Sequence, residues 1–203
     1  AGERARALGD EFGARAHRAD LLAPDDAQAL VAAVLARDGR LDHAVHAVGE
    51  YASGPLETTS RAELARLLAS NAESAFVFFE AVRPALRAAR GRAVFFGTSG
   101  LSGLRARRTS AAYAAAKSAL VVLVRSWALE EAAHGVTVNL VSPGHVPHAE
   151  AHADTLDPAA HAAIPLGRAG TPADVARAVL FLLSEGAAYT TGAELTVDGG
   201  WML

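Results

Sequence analysis

The chain has 203 residues, 51% of them hydrophobic, and a formal net charge of −3; that is enough for one sizeable core, too apolar for disorder, and without the positive surplus that nucleic acid or an anionic membrane would require. It has no cysteine, which excludes disulfides, thiolate metal sites and cysteine nucleophiles. No apolar run approaches the ~18 residues of a membrane span and residues 1–13 are too charged for a signal peptide, so the expected location is the cytoplasm.

Ala5, Leu8 and Phe12 recur at helical spacing, predicting a helix over 2–12 that ends at Gly13. The alternation of small and polar residues in 14–20 predicts a short strand closing on Asp20 and Leu21. Pro24, Asp25 and Asp26 mark a helix start, and Leu30, Val31, Val34 and Leu35 carry that helix to Gly39. LDHAVHAVG (41–49) is a short apolar strand ending in glycine. A single long helix, capped by Thr59 or Ser60, is expected to run on to Gly91. RAVFFGTSG (92–100) is a buried strand that breaks into small and hydroxyl residues. A helix follows from Ser110 to His134, then the strand VTVNLVSPG (136–144) and a loop rich in proline and histidine (143–165). The helix TPADVARAVLFLLSEGA (171–187) has proline in its first turn, and AELTVDGGW (193–201) is the final strand. This alternation predicts an α/β fold, a doubly wound parallel sheet covered on both faces, in one domain spanning 1–203.

Ligands of an open parallel sheet collect at the C-terminal ends of its strands. The polar residues cluster at such ends: Asp20, His46 to Gly49, Thr98 and Ser99, and Ser142 to Gly144. Tyr113 and Lys117 stand four apart on one face of an alanine-rich helix. Lys117 is the sole lysine, every other cation among the 19 Lys+Arg residues being arginine. A forked guanidinium cannot replace a compact ammonium that must fit beneath another side chain. A nearby ammonium is expected to lower the phenol pKa of Tyr113 and make it a general acid or base. Ser99, 14 residues earlier, is placed to hold a carbonyl oxygen beside that phenol. Ser, Tyr and Lys together describe proton transfer to a carbonyl during reduction. They do not describe a hydrolase, because no histidine is placed to activate Ser99. Among the histidines only His148 and His152 share a helical i, i+4 spacing, and no carboxylate completes a metal site. Arg105, Arg107 and Arg108 read either as a solvated loop or as a surface for a phosphopantetheine arm or acidic carrier protein.

ADL (19–21), LDHAVHAVG (41–49), Asn71, GRAVFFGTSG (91–100), YAAAK (113–117), VTVNLVSPG (136–144) and the stretch 165–201 resemble, in order, the short-chain dehydrogenase/reductases. The style is nearest to the 3-oxoacyl-carrier-protein reductase type. The resemblance implies an NAD(P)(H)-dependent ketoreductase or alcohol dehydrogenase acting on a small carbonyl or alcohol. Tyr113 would be the proton donor; Lys117 would hold the nicotinamide ribose and lower the Tyr113 pKa. Ser99 would orient the carbonyl, and Asn71 would anchor a water linking Lys117 to solvent. Asp20 and Leu21 would line the adenine pocket, Gly49 would sit against the adenosine ribose, and Ala47 would also contact the cofactor. Pro143, Gly144 and Val146 would contact the nicotinamide.

The chain also departs from the pattern. The family's first strand, glycine-rich loop, helix and strand do not occur in these residues, so the expected fold is Rossmann-like without its first strand–helix–strand. The loop's N–H groups cradle the cofactor pyrophosphate, so this chain by itself is expected to bind NAD(P)(H) weakly. His46-Ala47-Val48-Gly49 replaces Asn-Asn-Ala-Gly, and His148 replaces the threonine that binds the carboxamide. Ser99 stands one residue further from the tyrosine than is usual, which brings Thr98 into contention for its role. Two other readings use the same residues: a cofactor-free isomerase, dehydratase or cyclase drawing on Tyr113, His46 and His148, and a silent subunit of an active homologue. The nearly all-apolar stretches 75–82 and 118–133 need cover on both sides, which implies a homodimer or homotetramer.

Overall fold

Strands β1 (His43–His46), β2 (Arg92–Phe96), β3 (Thr137–Pro143) and β4 (Glu194–Val197) lie side by side in that order, every pair parallel. The computed structural model describes residues 2–101, 103, 105–147 and 162–202. Its helices are α1 (Gly2–Phe12), α2 (Pro24–Asp38), α3 (Arg61–Leu68), α4 (Ser74–Ala89), α5 (Ala111–Glu131) and α6 (Pro172–Leu183).

Side chains alternate across a strand, and here each alternate set finds its own helices. On one face Ala44, Ala93, Phe95, Val138 and Leu140 pack beneath α4 and α5, where Phe79 and Trp127 stack with centroids 4.4 Å apart. On the other, Val94 and Val141 pack beneath Val175, Val179 and Leu182 of α6. This is the doubly covered parallel sheet expected of strands that are apolar on both faces. Each fully buried Leu or Phe side chain contributes ~1.5–3 kcal/mol. β1 is covered on one side only: Ala44 and His46 are buried, while His43 and Val45 face outward and are exposed.

Local chemistry sets the helix ends. Ser60, not Thr59, caps α3 by accepting the Glu63 N–H at 3.0 Å. Thr171 and Asp174 form a reciprocal capping box at α6. Gly39 closes α2 in the left-handed conformation, φ 74°, that glycine enters without a steric cost.

Three expectations are corrected. Residues 16–20 form no strand; a strand needs a ladder partner, and the sheet edge nearest in chain order is β1. The single helix from 60 to 91 is interrupted by a π-helical turn at Ala69–Glu73. Side chains cause it: Asn71 Nδ2 donates to the Leu67 carbonyl at 3.0 Å and Ser74 Oγ to the Ser70 carbonyl at 2.7 Å, taking acceptors the helix ladder would use. Finally, Ala111–His134, with mean hydropathy 1.3, is long and apolar enough by composition to cross a membrane. Here it is the core helix packed on β3.

Candidate active site

The C-terminal ends of β1 and β2, the π turn and the first turns of α5 meet at one place. Lys117 lies there with 4% of its surface exposed, its Nζ donating to the Phe96 carbonyl at 2.7 Å. That carbonyl is available because of strand register. The last β1–β2 pair is His46 with Phe95, so Phe96 lies one residue past the end of β1. Burial of the ammonium pulls the Lys117 pKa down to about 8.

Tyr113, one helical turn earlier, is half-buried, and the Lys117 Nζ stands 5.9 Å from its ring centroid. Tyr51, from the loop after β1, meets the Tyr113 ring edge-on at 5.0 Å and 80°. That loop is held at both ends. The Glu50 carbonyl accepts the Asn71 amide at 2.9 Å, and Ser53 Oγ and the Gly54 N–H donate to the Thr109 carbonyl. Burial raises the Tyr113 pKa above the ordinary phenol value; the Thr98 side chain pulls the other way and Tyr51 adds to the rise. The expectation of a lowered pKa is therefore corrected. Lys117 directs its proton to a backbone carbonyl, and desolvation is the largest influence on the phenol. Tyr113 is a protonated acid at neutral pH.

Asn71 is wholly buried. Its amide nitrogen has three acceptors, the Glu50 and Leu67 carbonyls and Ser70 Oγ, while its Oδ1 has no partner among the described residues. A Cβ on Gly49 would lie 3.2 Å from Asn71 Cγ and 3.4 Å from Lys117 Nζ, and closer still to Asn71 Oδ1. Gly49, Asn71, Lys117 and Tyr113 thus lie together.

The other predicted residues are placed as follows. Ser99 is buried and its N–H donates to the Pro143 carbonyl at 3.0 Å, joining the two loops that leave β2 and β3. Thr98 is the hydroxyl residue beside the Tyr113 phenol. Gly144 packs tightly against Asp198, and Val146 against Gly170 and the α6 core. Ala47 is exposed at the end of β1. Asp20 and Leu21 lie before α2, where Asp20 Oδ1 accepts the Leu22 N–H at 2.9 Å; no hydrogen bond joins them to the Tyr113 cluster among the described residues. His148 lies outside the described residues. His46 is not a surface acid or base. It is 2% exposed, bonded through Nε2 to Ser74 Oγ at 3.2 Å, and its pKa falls to about 4 through burial and the nearby Lys117 charge.

Sequence reading missed Tyr51 and the Glu50 carbonyl. No local pattern marks either, since each acts through a loop folded back onto α3 and α5. Thr98 had a signal: the extra residue between Ser99 and Tyr113.

The arrangement offers a buried ammonium, a protonated phenol, a hydroxyl beside it and an unpaired amide oxygen at the C-terminal edge of a parallel sheet. Comparison with known proteins places the chain in a family. The enoyl-(acyl carrier protein) reductase family profile matches residues 1–202. The chain is 37% identical to L-fucose dehydrogenase of Mus musculus, over 89% of this chain and 68% of that protein. It is 34% identical to the 3-oxoacyl-[acyl-carrier-protein] reductase FabG of Vibrio cholerae, over 87% of this chain and 73% of the relative. A solved structure assigned to the short-chain dehydrogenase/reductases, from Burkholderia xenovorans, superposes with a TM-score of 0.82 at 34% identity, covering 91% of this chain and 73% of that one. Sheet order, the tyrosine–lysine helix and these matches along almost the whole chain lead to one conclusion: the chain belongs to the short-chain dehydrogenase/reductase family.

Proposed function

We propose that this protein is an NAD(P)(H)-dependent oxidoreductase that interconverts a carbonyl compound and a secondary alcohol. The observation that carries the reading is the only lysine of the chain, buried one turn below Tyr113 and beside Asn71 and Gly49.

The residues fit a nicotinamide cofactor. The absence of a side chain at Gly49 lets Asn71 and Lys117 come up against that backbone, and Asn71 Oδ1, without a partner among the described residues, lies there beside the Lys117 ammonium. Lys117 and Tyr113 would hold the nicotinamide ribose, Pro143, Gly144 and Val146 the ring, Gly49 and Ala47 the adenosine ribose, and Asp20 and Leu21 the adenine. When bound, the cofactor supplies or accepts the hydride. Tyr113 Oη gives its proton to the carbonyl oxygen during reduction; in the oxidation direction it would first release that proton toward solvent and then, as phenolate, take the alcohol's. A phenol held above its ordinary pKa keeps that proton until the oxygen accumulates charge. Ser99 and Thr98 orient the carbonyl. Asn71 Oδ1 accepts a hydrogen bond from a water that passes protons between solvent and Lys117. The burial of His46 beneath α4 and its bond to Ser74 weigh against its serving as one of the two histidines a cofactor-free reading would use.

The same reading makes the protein a homo-oligomer. Val122 and Leu129 of α5 are 65% and 83% exposed, and a second copy would cover them. Sedimentation of Leu129→Glu is expected to show smaller particles than the parent; an unchanged value would remove this interface.

The activity is tested by hydride transfer. Full-length protein given deuterium-labelled NADH or NADPH and a panel of ketones is expected to form alcohol carrying deuterium at the carbinol carbon. No transfer from either cofactor would overturn the reading.

A further inference from the structure

Between Ala81 and Leu129 the sequence has no aspartate or glutamate, although the whole chain is acidic, with a net charge of −3. That stretch contains Thr98, Ser99, Tyr113 and Lys117 of the candidate site and the arginine cluster Arg105, Arg107 and Arg108. Arg105 and Arg108 are exposed, as solvated loop residues are, but Arg107 is half-buried. Its Nη2 turns inward and donates to the carbonyls of Gly100 and Ser99, the latter at 3.4 Å. Gly100 permits the approach: it has φ +73°, and a Cβ there would sit 2.9 Å from Arg107 Nη2 and against Met202.

Arg107 is thus fixed at the backbone of Ser99, next to Thr98, which flanks the Tyr113 phenol. A guanidinium carries five donor hydrogens in a fixed fork. Only Nη2 has acceptors here; no carboxylate pairs with Arg107, and Nε and Nη1 have no acceptor, among the described residues. A partly desolvated, positioned cation whose Nε and Nη1 are still free to donate can hold a carboxylate oxygen by a charge-assisted hydrogen bond. Lys117 adds a second cation to the site, and Asp198, which accepts the Met202 N–H, is the carboxylate bonded to the residue packed at Gly100. The competing reading makes Arg107 a brace that pins the loop entering α5 and does no more.

We infer that Arg107 makes the site selective for carbonyl substrates bearing a carboxylate, the oxo acids, by binding the carboxylate while the carbonyl lies at Tyr113. The inference rests on the oxidoreductase reading for its placement of the carbonyl and names the substrate class for that reading.

The test uses matched pairs, 2-oxo and 3-oxo acids of several chain lengths, each against its own methyl ester, with the full-length protein. The ratio of kcat/KM for acid over ester is expected to exceed one in the parent and to fall about 10- to 100-fold in Arg107→Gln, the loss of a hydrogen bond to a charged group. Arg107→Lys should recover part of that ratio. Added salt should lower turnover of the acid more than of the ester in the parent, a readout that needs no variant. A brace would instead lower both substrates together and leave the ratio unchanged, which would overturn the inference. Calorimetric titration of the oxo acids separates this inference from the activity itself. Acid binding that depends on Arg107 without any hydride transfer would sustain the inference and defeat the oxidoreductase reading. Ester turnover with no preference for the acid would do the reverse. Absence of acid binding throughout the series would also overturn the inference.

Discussion

Lys117 Nζ donates to the Phe96 carbonyl at 2.7 Å, tying the middle of α5 to the end of β2 and leaving the ammonium 5.9 Å from the centre of the Tyr113 ring. Position, rather than charge alone, is what that lysine contributes. Lys117→Arg preserves the charge but places a wider, planar group where 4% exposure leaves no spare volume. Turnover is expected to fall by about 10²-fold or more. Steady-state kinetics of the full-length variant check this, and near-parental turnover would refute the role of Lys117.

The same burial has a stability cost. The Lys117 pKa drops from 10.5 to about 8, so below pH 8 the folded state holds a charge that the unfolded chain would hydrate more easily. Parental stability should therefore rise as pH goes from 8 to 10.5. Lys117→Met is expected to be inactive yet about 1–2 kcal/mol more stable at neutral pH, the desolvation relief less the lost hydrogen bond. Urea denaturation at several pH values measures it; a less stable methionine variant would be the contrary result.

The strands and most helix limits were legible because glycine, proline and apolar periodicity punctuate this chain regularly. Gly39, Gly135 and Pro172 stand where the helices end or begin. The break at Asn71 was not legible. Its cause is two side chains competing for helix carbonyls, and helical propensity carries no sign of which rotamers Asn71 and Ser74 adopt. Residues 14–20 had a strand's alternation but no partner, and pairing is a tertiary property. At the site, the uniqueness of Lys117 and its spacing from Tyr113 could be read directly. Its acceptor could not, because the Phe96 carbonyl is free only through the register of β1 on β2. The phenol pKa ran opposite to expectation because burial depth is not written in a four-residue spacing.

His46 is held neutral, its pKa lowered from 6.5 to about 4 by burial and by Lys117. Between those values the unfolded chain binds a proton that the folded chain does not, so stability falls as pH drops from 6.5 to 4. The full contribution is ~3 kcal/mol. His46→Asn is expected to flatten that limb of the stability curve. Denaturation midpoints across the window decide it, and an equally steep fall in the variant would assign the effect elsewhere.

Glu131, fully buried at the end of α5, accepts two hydrogen bonds from Arg87 of α4, at 2.7 and 2.9 Å. The guanidinium holds its carboxyl below the ordinary value of 4.5. That stabilisation is complete above pH 4.5 and disappears as pH falls through the lowered pKa. Arg87 is partly exposed, so Glu131→Gln is expected to cost only about 1–2 kcal/mol at neutral pH. Thermal unfolding checks the magnitude; an unchanged Tm would mean the pair is energetically idle.

Gly49→Ala would press a methyl group against Asn71 and Lys117. The protein should remain folded, at a cost of about 1–3 kcal/mol, but lose nicotinamide affinity, since the methyl displaces Asn71 and Lys117 from the positions assigned to hold the ribose and its water. Fluorescence titration with NADH and NADPH reports this. Parental affinity in the alanine variant would place the cofactor elsewhere.

Tyr113→Phe is the most direct test of the central claim, because it removes one oxygen from the reacting site and keeps the ring against Tyr51 and Thr98. The measurement is single-turnover reduction of a ketone by nicotinamide prebound to the full-length protein, parent against variant. The account predicts that the variant still binds the cofactor and loses about 10²–10⁴-fold in the rate of reduction. A phenylalanine variant reducing the ketone at the parental rate would contradict it.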